Sequence, residues 1–409
     1  MRVILHSDLN NFYASVECMK NPEIKDKPVV VVGSKEKRHG IVLAKNGVAK
    51  KMGVKTGDVY WEAQKKCGNQ LVEVKPDFDT YRKLSVAVRK IYAEYTDMVE
   101  PFGIDECWLD VTASQKIFGS GEQIANTIRE RVKRELGLTV SVGVSWNKIF
   151  AKLGSDLKKP DAVTVINKEN YKTLVWKLPV KELLYVGGAT EEKLKSYGIF
   201  TIGDLANSSD RLLDNMLGKN GGMLKRFALG EDDSQVAFLQ DEQPAKSIGN
   251  SMTLAKDVYT DDKIIVALNV LAEAVSSRMR ESGFVTAYNV GVMVKDSNLK
   301  TYNRQKQYMH GISSSGQMAE LAYQLFKSFY SWNEPVRALG IRVSCFTKKG
   351  EPIPLCFGQG KRLDADIAVD KLRDKYGNKI VRAGIVYKDS ELKDEDIIGG
   401  HDIHTEGYF

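Results

Sequence analysis

The chain has 409 residues and a mass of 45.7 kDa, too long for a single hydrophobic core; with 28% charged and 43% hydrophobic residues it reads as a soluble protein of three to five domains rather than a disordered or fibrous one. A net charge of +7 and a pI near 8.8 admit nucleic acid as a partner without requiring it. Cys18, Cys67, Cys107, Cys345 and Cys356 form no CxxC pair and have no histidine at zinc spacing, which excludes a zinc module and predicts buried free thiols; the N-terminal MRVILHSD turns polar too soon for a signal peptide and no apolar run approaches a membrane span, so the expected location is cytoplasmic.

Residues 2–7 read as a strand ending at Asp8, and Asn10 as the start of a helix that runs to Asn21-Pro22. Residues 27–32 (KPVVVV) form a buried strand closed by Gly33. A short strand at 41–43, a basic helix at 44–52 and a further helix at 60–66 follow, so 12–74 is a small lysine-rich α/β insertion. A long helix over 79–95 carries Leu84, Val88, Ile91 and Tyr95 on one side. Then come two apolar strands, 102–104 and 107–109, a helix at 122–136 and a strand at 139–144. Joined to the first strand, these pieces spell β-α-β-β-α-β, a split βαβ layout, and make the first domain discontinuous: 1–11 with 75–166.

Residues 168–232 read as mostly helical. Their LLYVGGA turn places Gly187 and Gly188 before a helix, where free N–H groups suit a phosphate and a plain helix-helix corner suits equally. Residues 233–242 are acidic and polar, a linker. A second β-α-β-β-α-β pattern follows over 243–346, with strands near 248–254, 287–294, 301–308 and 337–345 and helices near 261–280 and 317–330. It holds 12 Lys and Arg against 8 Asp and Glu. Its strand KTYNRQK (300–306) would lie well along a phosphate backbone, or form a solvated sheet face. The tail, 347–409, has one amphipathic helix at 363–376. The fold class is α+β.

The chemistry concentrates at 99–111, VEPFGIDECWLDV. Asp105 and Glu106 stand between two apolar runs, and adjacent carboxylates in a buried hairpin call for cations. Asp8 closes a second strand. Three carboxylates at strand ends suit Mg²⁺, which takes few of them and leaves room for waters and phosphates. Two such ions hold the attacking and leaving oxygens of a phosphoryl transfer.

HSDLNNFYASVE (6–17), KPVVVV (27–32), GIDECWLDVT (103–112), VSVGVSWNKIFAKLGSDLKKPDA (140–162), VGGATEEKLKSYGI (186–199) and KSIGNSMTL (246–254) together resemble the Y-family DNA polymerases of the bacterial DinB/UmuC type, which copy past lesions. The resemblance covers about 1–346 in the family's order. It implies a right-hand polymerase with a palm (1–11, 75–166), fingers (12–74), a thumb (167–232) and a DNA-binding little finger (243–346). It makes Asp8, Asp105 and Glu106 the catalytic metal carboxylates, with the Leu9 carbonyl as a further ligand of two Mg²⁺ ions, for which Mn²⁺ can substitute. Around the incoming dNTP it places Asn10, Asn11, Phe12 and Tyr13, with Tyr13 at the steric gate, and Lys159 at the triphosphate. The family's aromatic and arginine in the fingers are replaced here by Gly47 and Lys50. Lys45 and Lys50 are therefore the local candidates for the β and γ phosphates, as point charges without the arginine fork. Ala189 stands where a second thumb glycine is usual. Candidate contacts to primer-template DNA are Gly187, Gly188, Lys246, Lys300, Arg304 and Arg342. PLCFG (354–358) sits where bacterial members carry a sliding-clamp peptide but lacks its leading Gln, and a surface turn is the alternative. His401 and His404 read as solvent-exposed tail residues rather than a metal pair.

The implied reaction is template-directed, low-fidelity nucleotidyl transfer by a monomer. Two rivals come from other classes. GIDEC is superficially similar to the GGDEF loop of nucleotide cyclases, which leaves the thumb turn and the KKPDA segment unexplained. A non-catalytic DNA-damage scaffold would be free to lose the carboxylates that this chain keeps.

Overall fold

The computed structural model describes residues 2–33, 40–241, 244–348, 350–351, 359–389 and 391–392. They fall into two units, Met1–Val32 with Val42–Glu242, and Gly33–Ile41 with Gln243–Phe409.

The first unit runs β1 (Ile4–Leu9), α1 (Phe12–Lys20), β2 (Val29–Val32), β3 (Val42–Lys45), α2 (Gly47–Lys51), α3 (Tyr60–Cys67), β4 (Val72–Val74), α4 (Phe78–Ala93), β5 (Val99–Pro101), β6 (Glu106–Asp110), α5 (Gln115–Phe118), α6 (Gly121–Leu136), β7 (Val140–Ser145), α7 (Lys148–Leu157) and β8 (Val163–Val165). Its main sheet has the order β5-β6-β1-β7-β8, with β1 antiparallel to both neighbours. Side chains alternate across a strand. Leu5, Leu9, Cys107, Leu109, Val140, Val142 and Val144 therefore meet α4 and α6 in one core, which also holds Val88, Ile91, Ile124 and Ile128. The other face of the sheet carries Ile4, His6, Asp8, Glu106 and Trp108 and lies against α7. That helix sits directly on β7, where a Cβ on Gly143 would fall on the carbonyl oxygen of Ala151. Glycine at 143 lets a helix bearing several lysines approach the strand ends.

Local chemistry fixes the helix ends. Asp77 accepts the Thr80 N–H at the start of α4, Ser120 and Gln123 form a reciprocal cap on α6, and Gly137 closes α6 in the left-handed region. Three expectations shift. The first helix begins at Phe12 with Asn11 at its N-cap, in the left-handed region, because the Asn10 side chain is spent on Thr139 (3.2 Å) and Ser141 (2.8 Å). The apolar run 102–104 is a turn rather than a strand. Gly103 has φ +93°, and the N–H of Phe102 reaches back to the Glu106 carbonyl (2.8 Å), so the strand before the acidic pair is β5. Lys45 lies at the end of β3 rather than in a helix, since Asn46 caps the Ala49 N–H and starts α2 only at Gly47. β2 joins β3 and β4 in a separate three-stranded sheet.

Beyond β8 the first unit is helical, with α8 (Tyr171–Leu174), α9 (Gly188–Lys195), α10 (Ile202–Asn207), α11 (Asp210–Leu217) and α12 (Lys219–Leu229) around a core of their own. The residues expected as a free linker are largely tied down. Trp146 and Asn147 donate to the Gly230 carbonyl, Val236 is buried, the Ala237 N–H donates to Glu100, and the Leu239 N–H donates to the Asp97 carbonyl. A half-buried ion pair anchors this strap: Lys148 Nζ meets both Glu100 oxygens at 2.6 and 2.7 Å and also reaches the Gln235 carbonyl.

The second unit runs β9 (Ser247–Val258), α13 (Asp261–Glu281), β10 (Phe284–Asp296), β11 (Thr301–Ile312), α14 (Ser315–Phe329), β12 (Val336–Lys348) and α15 (Gln359–Tyr376). The element order repeats that of the first sheet, yet the strand order is β11-β10-β12-β9, with its first strand at an edge instead of the centre. The two patterns therefore build different sheets. α13 and α14 cover one face. α15, longer than the expected helix, is held by charge: Arg280 pairs with Asp370, and buried Arg373 pairs with buried Glu273 at 3.0 Å. The fold class is α+β, as expected. Cys67 and Cys107 are buried thiols, but Cys345 is exposed. Among the described residues no helix is long and apolar enough to cross a membrane. PLCFG, Cys356, His401 and His404 lie outside the described residues.

Candidate active site

Asp8 and Glu106 face each other in register across β1 and β6, and the Leu9 N–H between them donates to the Asp105 carbonyl at 3.0 Å. Three carboxylates thus share one end of the sheet. Their side chains do not close on a common point. Among the described residues no group of three His, Cys, Asp or Glu side chains stands ready to hold a metal ion. Each of two carboxylates is instead drawn to a lysine of the segment opposite. Lys159 Nζ lies 2.7 Å from Asp8 and 2.8 Å from Asp156, and Lys152 pairs with Glu106.

The electrostatics explain why cations gather here. Burial pushes the Asp8 carboxyl well above the usual range; the Lys159 charge pulls it back, and Glu106 and Asp105 add to the rise. Burial, then Glu106, raise Asp105 to about 6. Burial also opposes charge on Glu106, but His6 and Lys152 outweigh it and hold that carboxyl low. The donor set is all oxygen and mutually repelling, with Asp8 buried and Asp105 and Glu106 half-buried, a strain that a hard divalent cation would relieve. Such an ion fits the residues present. A further sign is His6 Nε2, wholly buried, 3.2 Å from Glu106 Oε2 and without a hydrogen bond.

The residues expected around a nucleotide separate into three groups. Tyr13 is half-buried and faces the acidic end, since Asp105, after burial, helps push its phenol up to about 12. Phe12 is 3% exposed and joins the core of α4 and β1 rather than the three-stranded sheet or a nucleotide. Asn10 is likewise consumed inside the fold, whereas Asn11 is exposed. Lys45 and Lys50 lie close enough that burial, and then Lys50, lower the Lys45 ammonium; Lys45 donates to Thr56 Oγ1 at 3.0 Å and Lys50 is exposed. Lys159 stays charged, because Asp8 and Asp156 outweigh its burial.

Sequence reasoning missed His6, Lys152, Ser155 and Asp156. For Lys152 and Asp156 a signal was there: they stand four apart on α7, with Lys159 three residues further, just past its end.

Gly187 and Gly188 are exposed at the start of α9, and a Cβ at either meets nothing within 4 Å. In the second unit the expected DNA contacts do not share a face. Arg342 stands on the open side of the sheet, in register between Gly291 and Gly249. Arg304 pairs in register with buried Val292, which puts it on the side the helices cover, and the Lys300 ammonium sits over the Tyr302 ring on that same side. Both are exposed because β11 is an edge strand. Lys246 is exposed just before β9.

Known proteins are similar to this chain along nearly its whole length. Residues 7–156 match the impB/mucB/samB family and residues 245–353 the C-terminal domain of the same family. The DNA polymerase IV of Acetivibrio thermocellus is 50% identical over 396 residues, covering 96% of this chain and 99% of that protein. DNA polymerase IV 1 of Bacillus subtilis is 36% identical, covering 96% and 95%. Among solved structures, the Y-family DNA polymerase chimera Dbh-Dpo4(243-245)-Dbh superposes with a TM-score of 0.75 at 23% identity, covering 85% of this chain and 100% of that one, which supports the right-hand polymerase fold. These relatives favour neither a nucleotide cyclase nor a non-catalytic scaffold. The chain belongs to the Y-family of DNA-directed DNA polymerases, in its DinB-type impB/mucB/samB branch.

Proposed function

We propose that the chain extends a primer on a DNA template by nucleotidyl transfer, at low fidelity and past damaged bases, with Asp8, Asp105 and Glu106 as its catalytic carboxylates. The observation that carries this reading is the meeting of those three at one sheet end, opposite Lys152 and Lys159. The five-stranded sheet with its helices serves as the palm, 12–74 as the fingers, 167–232 as the thumb and 243–346 as the little finger. Two Mg²⁺ ions, or Mn²⁺ in their place, when bound supply Lewis-acid activation of the primer 3′-hydroxyl and neutralise the leaving pyrophosphate, and Asp8, Asp105, Glu106 and the Leu9 carbonyl are the groups that would hold them.

The chain's own residues do the rest. Lys159, charged and beside Asp8, offers its ammonium to the triphosphate, and Lys45 and Lys50 add a second positive edge from the fingers. Tyr13 lies under the sugar of the dNTP. Open backbone N–H groups at Gly187 and Gly188 suit a DNA phosphate. Arg342, flanked by glycines that let a duplex come close, suits another, with Lys246 beside it in the same unit. The protein works as a cytoplasmic monomer, and 354–358 is its contact to a sliding clamp.

Primer extension tests the reading. Asp105→Asn with Glu106→Gln should abolish extension while primer-template affinity changes by no more than a few fold. Retained extension overturns the carboxylate assignment.

A further inference from the structure

The sheet face that carries Asp8 and Glu106 also carries His6, which none of the roles above uses. His6 lies in β1, fully buried, in register with Trp108. The Trp108 ring meets it edge-on, centroids 5.3 Å apart and planes 61° apart, and fixes the imidazole plane. Nδ1 shares a hydrogen bond of 2.8 Å with Ser155 Oγ, and Nε2, buried and without a hydrogen bond, lies 3.2 Å from Glu106 Oε2.

The ring is wholly buried, and an imidazole taken out of water favours its neutral form. A neutral imidazole carries one proton and has two places for it. On Nδ1, the proton goes to Ser155, and the Nε2 lone pair then confronts a carboxylate oxygen. On Nε2, it goes to Glu106, and Nδ1 accepts the Ser155 hydroxyl proton. The second arrangement sacrifices only the bond from Ser155 Oγ to the Lys152 carbonyl (2.7 Å), an oxygen that already sits in the hydrogen-bond ladder of α7. Lys152 approaches the same Glu106 oxygen, Oε2. Both donors therefore converge on one oxygen and leave Oε1 to another partner.

We infer that His6 is a positioning residue: with its proton on Nε2, set there by Ser155, it holds Glu106 by Oε2 and presents Oε1 to a metal. A ligating carboxylate gains orientation and basicity from such an outer partner. The inference rests on Glu106 being a metal carboxylate.

Two measurements on the full chain test it. In the first, ¹⁵N NMR of the histidine rings in the wild-type protein should show one of the five histidines neutral and protonated at Nε2, a signal that His6→Gln removes. A His6 ring protonated at Nδ1 overturns the inference. In the second, Mn²⁺ binding is followed by electron paramagnetic resonance, with primer-template and a non-hydrolysable dNTP present. His6→Phe should weaken binding about 10-fold or more, and His6→Gln, which restores an N–H donor, should recover most of it. Ser155→Ala should weaken binding less and move the tautomer signal. In turnover, His6→Phe should lower kcat with little change in the KM for dNTP. Mn²⁺ affinity of His6→Phe equal to wild type overturns the inference. Glu106→Gln separates the two levels: if it binds Mn²⁺ as wild type does, the site assignment itself falls, whereas if it alone loses affinity, only the role of His6 falls.

Discussion

The ring of Tyr13 lies parallel to that of Tyr81, centroids 4.3 Å apart and planes 9° apart, and the Tyr81 hydroxyl is fixed to Glu17 at 2.7 Å. Tyr81 is completely buried, so the half-buried Tyr13 rests on an immobile floor. A ring held this way cannot yield to a 2′-hydroxyl. Tyr13→Ala should therefore admit ribonucleotides readily with little loss of dNTP insertion, as read by single-nucleotide insertion of paired NTPs and dNTPs. Successive residues of a helix point about 100° apart. Phe12, facing the core, should give a different result: Phe12→Ala lowers stability by roughly 3–5 kcal/mol and leaves sugar choice unchanged. Unaltered discrimination in Tyr13→Ala would place the gate elsewhere.

A pH dependence of stability follows from Asp105. Its carboxyl rises from the ordinary 3.8 to about 6 in the folded chain. A raised folded value means the proton favours the fold. That contribution is complete below about pH 4 and is lost as pH climbs through about 6. At pH 8 without metal, the ionised Asp105 costs up to about 3 kcal/mol relative to a neutral group. Asp105→Asn should thus raise the urea midpoint at pH 8 in EDTA, with the gain shrinking toward pH 4. Adding Mg²⁺ should stabilise wild type more than the variant. A gain independent of pH would exclude the charge as its cause.

The little finger offers a test by salt. Arg342, on the open face between two glycines, should carry one phosphate contact, so Arg342→Ala should reduce the slope of log affinity against log salt by about one unit. Arg304→Ala, on the opposite side, should leave the slope unchanged. The reverse result would mean that DNA runs along the β11 edge.

The strap over 232–239 depends on one acid. Removing Glu100 strands the buried Lys148 and orphans the Ala237 N–H, so Glu100→Ala should cost about 3–5 kcal/mol and open the strap to limited proteolysis before the rest of the unit melts. Protection equal to wild type would show that the strap is held by Val236 and its backbone bonds alone.

What the sequence disclosed depended on the kind of signal. Asp8, Asp105 and Glu106 were legible because each stands at the end of an apolar run, where a carboxylate needs an explanation. The helix α4 was legible from its apolar stripe, whereas the caps of α4 and α6 emerged only in the fold. The run at 102–104 misled because its apolar residues look like strand, while the backbone obeys Gly103. The strap misled because polar composition suggests a linker, and only the fold brings Glu100 and Lys148 to it. Arg304 and Arg342 looked equivalent as charges, since the face a strand residue takes depends on a register that composition does not encode. His6 was hidden by being a buried polar residue whose partners, Ser155 and Glu106, are distant in sequence.

The edge position of β11 has its own consequence. Among the described residues β11 ends the strand order of its sheet, and an edge strand can pair with the same strand of another molecule. Arg304 and Lys306 project from it on the helix-covered side, with Lys300 just ahead, so two such edges brought together would set like charges against each other. Basic residues on an edge strand thus oppose edge-to-edge pairing of copies, separately from any contact they make to DNA.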